Sequence, residues 1–310
     1  MVVSASGVLA SLALCSLAGM LMMTASRKER VDPAALAAHR ADVEAWQQKR
    51  DATLRSDESW LTLAGLVWLK EGPNTVGTAA GSDILLPPES GPARAMVLDF
   101  RQGKTHMKAA SGVAVTINNQ PAKEAELKSD DPGPADVVRL GKRIAFLVIK
   151  RGQRYAVRLK DNAAKAHREF RGIDRFPIQE NYRVVARWVP YNPQRTVEVP
   201  NVLGEIEHYP SPGYAVFTLN GKEQRLTPYI EEPGDQKLFY VFKDLTSGKE
   251  TYGACRFLYS PMPENGKVVV DFNKSYNPPC AFTPFATCPL PMKENVLQVR
   301  IEAGEKFHGH

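Results

Sequence analysis

Residues 214–230 read YAVFTLNGKEQRLTPYI, and they contain the strongest local fold signal in the chain. Two strand-like runs flank the dipeptide Asn220-Gly221. A two-residue hairpin turn needs positive φ at both positions, which asparagine and glycine tolerate better than other residues. The stretch therefore predicts two antiparallel strands joined by a tight turn.

Strand-like runs continue on both sides of this hairpin, separated by Gly, Pro and Asn. Such spacing is typical of antiparallel sandwiches and barrels. It predicts a mostly β chain with an antiparallel sandwich over residues 59–160 and a second antiparallel barrel or sandwich over 176–310. A charged connector at 161–175 separates the two. The predicted strands are 60–69, 74–77, 83–86, 95–100, 113–117, 144–149 and 155–159, then 182–189, 196–199, 205–208, 214–219, 222–230, 238–242, 252–259 and 267–272.

The N-terminus differs from the rest. Residues 1–26 are almost entirely apolar or small, and RKER follows at 27–30. This predicts a signal peptide or a membrane anchor, since roughly 20 apolar residues can span a bilayer. We expect an exported or anchored, extracytoplasmic protein of a bacterial envelope; a cytoplasmic-side anchor is the alternative that RKER favours. Residues 27–58, with Asp32-Pro33 at a helix start, predict a helical spacer.

Charge is concentrated in one segment. The net charge is +6, yet residues 139–175 contain twelve Lys/Arg and only three acidic residues. A basic face can attract nucleic acid, anionic lipid or an anionic ligand. Nucleic acid is not expected, because the segment lacks a recognised binding motif and interleaved aromatics. A solvated surface is the simpler interpretation.

Cysteine usage excludes common metal motifs. Cys15, Cys255, Cys280 and Cys288 form no CxxC pair. The spacing of Cys280 and Cys288 permits a small-loop disulfide in an exported protein; two buried thiols are the alternative. We predict no metal and no cofactor.

The first β unit resembles a forkhead-associated (FHA) domain, a phosphothreonine-binding sandwich. The likeness is carried by Thr75-Val-Gly, Ser82-Asp-Ile-Leu-Leu, Val115-Thr-Ile-Asn and Arg154–Asp161. The arginine that the family places beside the glycine is Thr78 here, and its Ser-x-x-His is not recognisable at residues 90–93. The resemblance therefore implies the fold without phosphopeptide binding.

Three runs resemble the uncharacterised family known as domain of unknown function 1684, over roughly Trp60 to Phe307. They are GYAVFTLNGKEQRLTPYI (213–230), LFYVFKDLTSGKETYGACRFLY (238–259) and DFNKSYNPPCAFTPFATCPLPMKENVLQVRIEAGEKF (271–307). Cys255, Phe285 and Met292 stand where the family usually has glycine, tyrosine and proline. The resemblance implies a grouping but no reaction.

Signatures of several large enzyme classes are missing, including GxxxxGK[ST], HExxH and GxSxG. Residues 271–291 contain five prolines, and polar residues within and before this segment are the candidates for a site. Arg256 is predicted to hold an anionic group and Asp244 to orient it or act as base, while Tyr276 and Asn277 donate hydrogen bonds. An ion pair with turn capping is the structural alternative. The candidate ligand-binding residues are Asp244, Thr246, Arg256, Asp271, Asn273, Tyr276, Asn277 and Cys280.

These residues predict a small-ligand-binding protein or an enzyme with its pocket in the C-terminal β unit and a small anionic ligand. Two alternatives remain: a protein-interaction module built on the FHA-like sandwich, which would have a protein partner, and a structural envelope protein without a ligand site. Contact with the membrane is expected through the N-terminal segment.

Overall fold

The computed structural model describes residues 1–2 and 32–308. The predicted apolar leader, with its core at 7–23, lies outside the described residues. The prediction of a mostly β fold behind one N-terminal helix is confirmed. Within residues 32–308, no helix is both long and apolar enough to cross a membrane.

Helix α1 spans Pro33–Arg55 and packs on the second β unit. Asp32 caps it by accepting a hydrogen bond from the Ala34 amide at 2.9 Å, and Pro33 occupies the first helical position. His39 and Arg50 bond to Asp271 and Glu305 of the second unit at 2.8 and 3.0 Å. The predicted spacer is thus bound along its length to the C-terminal half of the chain.

The first β unit consists of two sheets around one core. Its strands are β1 Leu63–Trp68, β2 Gly72–Gly77, β3 Ile84–Leu85, β4 Met96–Arg101, β5 Lys104–Ala109, β6 Val115–Ile117, β7 Gln120–Ala122, β8 Glu124–Leu127, β9 Val138–Leu140, β10 Ile144–Arg151 and β11 Arg154–Asp161. One sheet has the order β1-β11-β10-β9-β6-β7 and the other β3-β2-β4-β5-β8. Among the pairings between these strands, only the short β2–β3 pairing is parallel. Buried side chains from both sheets, such as Leu98, Met107, Phe146 and Val157, fill the core.

The second unit has six strands where the sequence predicts about eight. They are β12 Arg183–Pro200, β13 Ile206–Leu219, β14 Lys222–Leu226, β15 Lys237–Phe242, β16 Arg256–Pro261 and β17 Lys267–Asp271. The prolines at 190 and 193 suggest a strand end, since proline cannot donate to the ladder. The structure instead accommodates them at an irregularity between Pro190 and Arg195, so that β12 is one long strand.

The sheets of the second unit remain open, with the orders β14-β13-β12-β17 and β15-β16. The predicted alternative of a closed barrel is therefore wrong for the described residues. The predicted hairpin at Asn220-Gly221 is confirmed, with φ of +52° and +75° at its two residues.

Residues 272–308 cover these sheets with little regular structure beyond three short 3-10 turns. Gly304 shows how closely this segment packs. It has φ of +77°, and a Cβ there would lie 2.3 Å from the carbonyl oxygen of Ser275. Only glycine fits without displacing backbone.

A short helix, α2 Lys165–Arg168, lies in the connector between the two units.

Candidate functional site

Asp244, Thr246 and Arg256 come together, but in the protein core. Arg256 Nη1 contacts Asp244 Oδ2 at 2.9 Å, and neither side chain is exposed to solvent. The other oxygen of Asp244 accepts from the amide and hydroxyl of Thr246 at 2.7 and 2.6 Å. The guanidinium also donates to the carbonyls of Ile301 and Ala303. The arrangement matches the structural alternative of an ion pair with turn capping, and it anchors the C-terminal segment.

Asp271 and Asn273 connect the end of β17 to helix α1 and to the backbone of Gln179. Asp271 accepts from the amide of Asn273 at 3.1 Å and contacts His39 of α1 at 2.8 Å. Asn273 bonds to both backbone groups of Gln179, at 3.0 and 2.8 Å. Each polar group has a partner inside the protein, so these two residues stabilise the fold locally.

Tyr276 and Asn277 hold α1 against the second unit. The Asn277 amide donates to Glu305 Oε2 at 2.7 Å, and Arg50 of α1 donates to Glu305 Oε1 at 3.0 Å. The Arg50 guanidinium lies 4.7 Å from the centre of the Tyr276 ring. The structure therefore groups Asp271, Asn273, Tyr276 and Asn277 around the helix rather than with Arg256.

Cys280 and Cys288 are neighbours, both with free thiols. The Cys280 amide donates to Cys288 Sγ at 3.2 Å, and Tyr252 donates to the Cys280 carbonyl at 3.0 Å. A hydrogen bond from Cys288 lowers the pKa of the Cys280 thiol. The disulfide between these two residues remains a prediction, and their proximity favours its formation.

A cleft of about 910 Å³ lies between the two β units. One side comes from the outer face of the β10–β11 sheet and the loop at 130–133; the other comes from β13, residues 229–233 and residues 286–289. Trp60, Tyr229 and Phe257 contribute apolar surface to its lining. Of the residues that the sequence singles out, Cys288 is in this lining, whereas the candidate ligand-binding residues are not.

Two arginines and one threonine form the basic end of the cleft. Arg158 points away from the sandwich core because its strand neighbours Val157 and Leu159 point into it. Arg158 Nη2 and Arg151 Nε both donate to Thr287 Oγ1, at 3.2 and 3.0 Å. Thr287 is held in place by its chain neighbours, since the amide of Val202 donates to the Cys288 carbonyl at 3.0 Å.

Arg158 lacks a counterion. It is only 6% exposed, and no carboxylate in the described part of the chain forms an ion pair with it. Its Nε has no hydrogen-bond partner among residues 32–308. The nearby carboxylate of Asp130 is held by Arg151 at 2.9 and 3.1 Å. Burial, followed by the neighbouring charge of Arg151, lowers the pKa of Arg158 to about 10.

Two carboxylates and two phenols form the opposite, acidic part of the site. Tyr209 donates to Glu207 Oε2, and Tyr259, just outside the lining, donates to Glu231 Oε2. The Tyr209 ring stacks on Tyr229 with centroids 4.6 Å apart. Burial raises the pKa of Glu231, while the hydrogen bond from Tyr259 opposes that shift.

The basic segment at 139–175 is mostly neutralised by ion pairs. They include Arg139–Glu58, Lys160–Glu58, Arg143–Asp161, Lys150–Asp131, Arg151–Asp130, Arg154–Glu205, Lys165–Glu169 and Arg175–Asp51. Arg158 is the buried exception. The excess of positive charge at 139–175 is the sequence feature that points to an unpaired arginine. The sequence does not identify which arginine lacks a partner.

The described part of the chain contains no group of three or more His, Cys, Asp and Glu side chains arranged to hold a metal ion. The cleft is lined by guanidinium, hydroxyl, carboxylate and aromatic groups. Together they can bind an organic ion through charge, hydrogen bonds and ring faces.

Fold and cleft thus define a mostly β protein with a charged cavity between two units. Residues 168–306 match the family described as "Protein of unknown function (DUF1684)". The family predicted from the sequence is confirmed over this segment. The sequence analysis expects the resemblance to begin near Trp60, whereas the family match begins at residue 168. No curated protein matches the chain.

Parts of the chain are similar to solved structures. An uncharacterized protein from Haloarcula marismortui, solved by NMR, is 25% identical with a TM-score of 0.39, and the similarity covers 46% of this chain and 80% of that one. The FhaA FHA domain, in complex with the intracellular domain of Rv3910, is 19% identical with a TM-score of 0.22, covering 31% and 97%. A structure from a study of phosphothreonine-dependent FHA domain interactions is also 19% identical, with a TM-score of 0.22, covering 31% and 92%.

Proposed function

We propose that this protein binds a small anionic ligand in the cleft between its two β units. The observation that carries the proposal is Arg158, a guanidinium that is 6% exposed, lines the cleft and has no carboxylate partner in residues 32–308. Burying an unpaired charge is costly, and natural proteins pair such groups with a counterion. A ligand carboxylate or phosphate supplies the missing charge.

The neighbours of Arg158 suit this role. Arg151 brings a second guanidinium to the same threonine hydroxyl, so Thr287 marks a point that both arginines reach. Guanidinium groups bind carboxylate and phosphate oxygens through two parallel N–H donors, and the threonine hydroxyl adds an O–H donor. The cleft volume of about 910 Å³ is within the range of small-molecule sites.

This proposal changes the location of the pocket that the sequence suggests. The sequence predicts a pocket within the C-terminal unit, whereas the proposed pocket lies between the two units. The anion-holding role moves from Arg256, which already has Asp244, to Arg158.

The test is thermal stabilisation of the purified protein by inorganic phosphate and by acetate at constant ionic strength. A ligand that binds only the folded state stabilises it by about 2.7 kcal/mol at one hundred times its Kd. We expect at least one of these anions to raise the Tm of the wild type and to have no such effect on Arg158→Gln. Arg171→Gln, which removes an exposed arginine outside the cleft, should respond as the wild type does. An equal response of Arg158→Gln would overturn the proposal.

We further propose that the protein meets its ligand outside the cytoplasm. The support is the apolar stretch at 1–26, which is typical of a signal peptide or anchor. A reporter enzyme that is active only after export, fused after residue 308, should be active in cells and inactive once residues 1–26 are deleted. Activity confined to a cytoplasmic reporter fused at the same point would contradict export.

A further inference from the structure

The acidic part of the cleft contains two carboxylates whose hydrogen bonds come from neutral donors. Glu231 accepts a hydrogen bond from Tyr259, and Glu207 accepts from Tyr209 and, at 3.0 Å, from Asn201 Nδ2. These donors are neutral groups. No Lys, Arg or His side chain in residues 32–308 forms an ion pair with either carboxylate. The cleft therefore contains a guanidinium without an ion-pair partner at one place and two carboxylates without an ion-pair partner at another, and Lys237 acts on Glu231 through its charge without forming an ion pair.

We propose that the ligand is zwitterionic, with its anionic group at Arg158 and an ammonium group between Glu207 and Glu231. This inference rests on the proposed function, and it adds the second charge of the ligand. A zwitterion supplies the partner that each end of the cleft lacks. A dianion would place negative charge against the two carboxylates, and an apolar tail would leave them desolvated without a cation.

Aromatic faces in the lining favour the same ligand class. Tyr209 and Tyr229 stack at 4.6 Å, and Tyr229 meets Phe239 edge to face at 5.3 Å. An ammonium group is attracted to the face of an aromatic ring by the quadrupole of the ring. The chain itself shows this contact nearby, where Lys237 Nζ lies 4.0 Å from the Tyr259 ring centre. The carboxylates and ring faces together suit a cation better than a neutral polar group.

The basic and acidic groups line the same cleft. Arg151, Arg158 and Thr287 contribute to its lining together with Glu207 and Glu231. A single ligand that carries both charges therefore meets both kinds of group in one cavity.

Matched pairs of small probes test the inference. Phosphoethanolamine and propyl phosphate have nearly the same size, but only the first carries an ammonium group; 4-aminobutanoate and pentanoate form the equivalent carboxylate pair. Binding is measured by calorimetry at neutral pH and constant ionic strength with the full chain. In at least one pair, we expect the zwitterion to bind about tenfold more tightly than the analogue that lacks the ammonium group.

Three variants test which residues cause the preference for the zwitterionic probe. Glu231→Gln should reduce the preference to about one, while the affinity for propyl phosphate or pentanoate is kept. Glu223→Gln, an exposed carboxylate on β14 outside the cleft, should keep the wild-type preference. Arg158→Gln should weaken both members of the pair.

The outcomes separate the two proposals. If both members of each pair bind equally, the zwitterion inference is wrong and anion binding stands. A preference that survives in Glu231→Gln would also overturn the inference, because the ammonium would then be held elsewhere. If none of the four probes binds the wild type, the proposed function itself is wrong.

Discussion

Arg158 and Arg256 are both buried guanidinium groups, and they differ in what surrounds them. Arg256 has Asp244 at 2.9 Å and two backbone carbonyls. Arg158 has a threonine hydroxyl and a tryptophan ring 5.2 Å from its guanidinium carbon. Nε lacks a hydrogen-bond partner among residues 32–308 in both arginines, so the difference is the carboxylate. Arg256 belongs to a structural ion pair, whereas the charge of Arg158 is available for a ligand.

This contrast predicts a stability change at Arg158. Arg158→Met removes an unpaired buried charge and keeps much of the side-chain volume, so it should raise the free energy of unfolding by about 1–2 kcal/mol when no anion is added. Urea denaturation of the two proteins measures the difference. Arg171→Met, at an exposed position, is the control and should change stability by less than about 0.5 kcal/mol. A clear loss of stability in Arg158→Met would mean that this charge is already compensated within the protein.

Glu231 predicts a dependence of stability on pH. Burial raises its pKa above 4.5, with the charges of Asp235 and Glu232 adding to the shift and Tyr259 and Lys237 opposing it. Because the folded-state pKa is raised, the stability contribution is fully present below the unfolded value and is lost as pH rises through the folded value. The stability of the wild type relative to Glu231→Gln should therefore fall as pH rises from 4.5 upward. Urea denaturation across this range checks it, with Glu223→Gln as the control for loss of one carboxylate; a constant difference would contradict it.

One of the contacts between helix α1 and the C-terminal segment centres on the buried carboxylate of Glu305. Glu305 is fully buried and receives Arg50 at 3.0 Å and the Asn277 amide at 2.7 Å; Arg175 is 4.0 Å away. Arg50→Met should therefore cost about 3–5 kcal/mol, because it leaves a buried carboxylate without its closest cation. Arg40→Met on the exposed side of the same helix should cost under about 0.5 kcal/mol. Chemical denaturation of both variants decides this; equal effects would show that Arg50 does not hold the helix.

The segment at 279–289 joins the cysteine pair to the cleft, since it contains Cys280, Thr287 and Cys288. The contact of 3.2 Å between the Cys280 amide and Cys288 Sγ places the two residues side by side. We predict that oxidised glutathione converts the pair to a disulfide by thiol exchange, with release of reduced glutathione. Mass spectrometry after alkylation, with and without prior reduction, should show two additional alkylated cysteines only in the reduced sample. The same labelling in both samples would show that no disulfide forms.

At the scale of the whole molecule, sequence patterns predict the elements better than their packing. The Asn220-Gly221 turn and the start of α1 at Asp32-Pro33 depend on local backbone preferences, and both are as predicted. The sequence predicts strand β12 in two pieces because its prolines suggest an end, and only the pairing with β13 shows how these prolines are accommodated. Local signals specify local structure.

The candidate site could not be predicted in this way because it forms between two units. Arg158 and Thr287 are 129 residues apart and meet only when the outer face of the sandwich packs on the C-terminal segment. No periodicity in either segment encodes that contact. The polar residues chosen from the sequence, such as Asp244 and Asn273, have backbone and side-chain partners within the fold.

Calorimetric titration of inorganic phosphate and acetate into the wild type and Arg158→Gln tests the central claim most directly. The account predicts that at least one of these anions binds the wild type at a single site, and that Arg158→Gln weakens this binding at least tenfold, about 1.4 kcal/mol. Arg171→Gln should bind as the wild type does. Equal affinity of the wild type and Arg158→Gln for the anion would contradict the account.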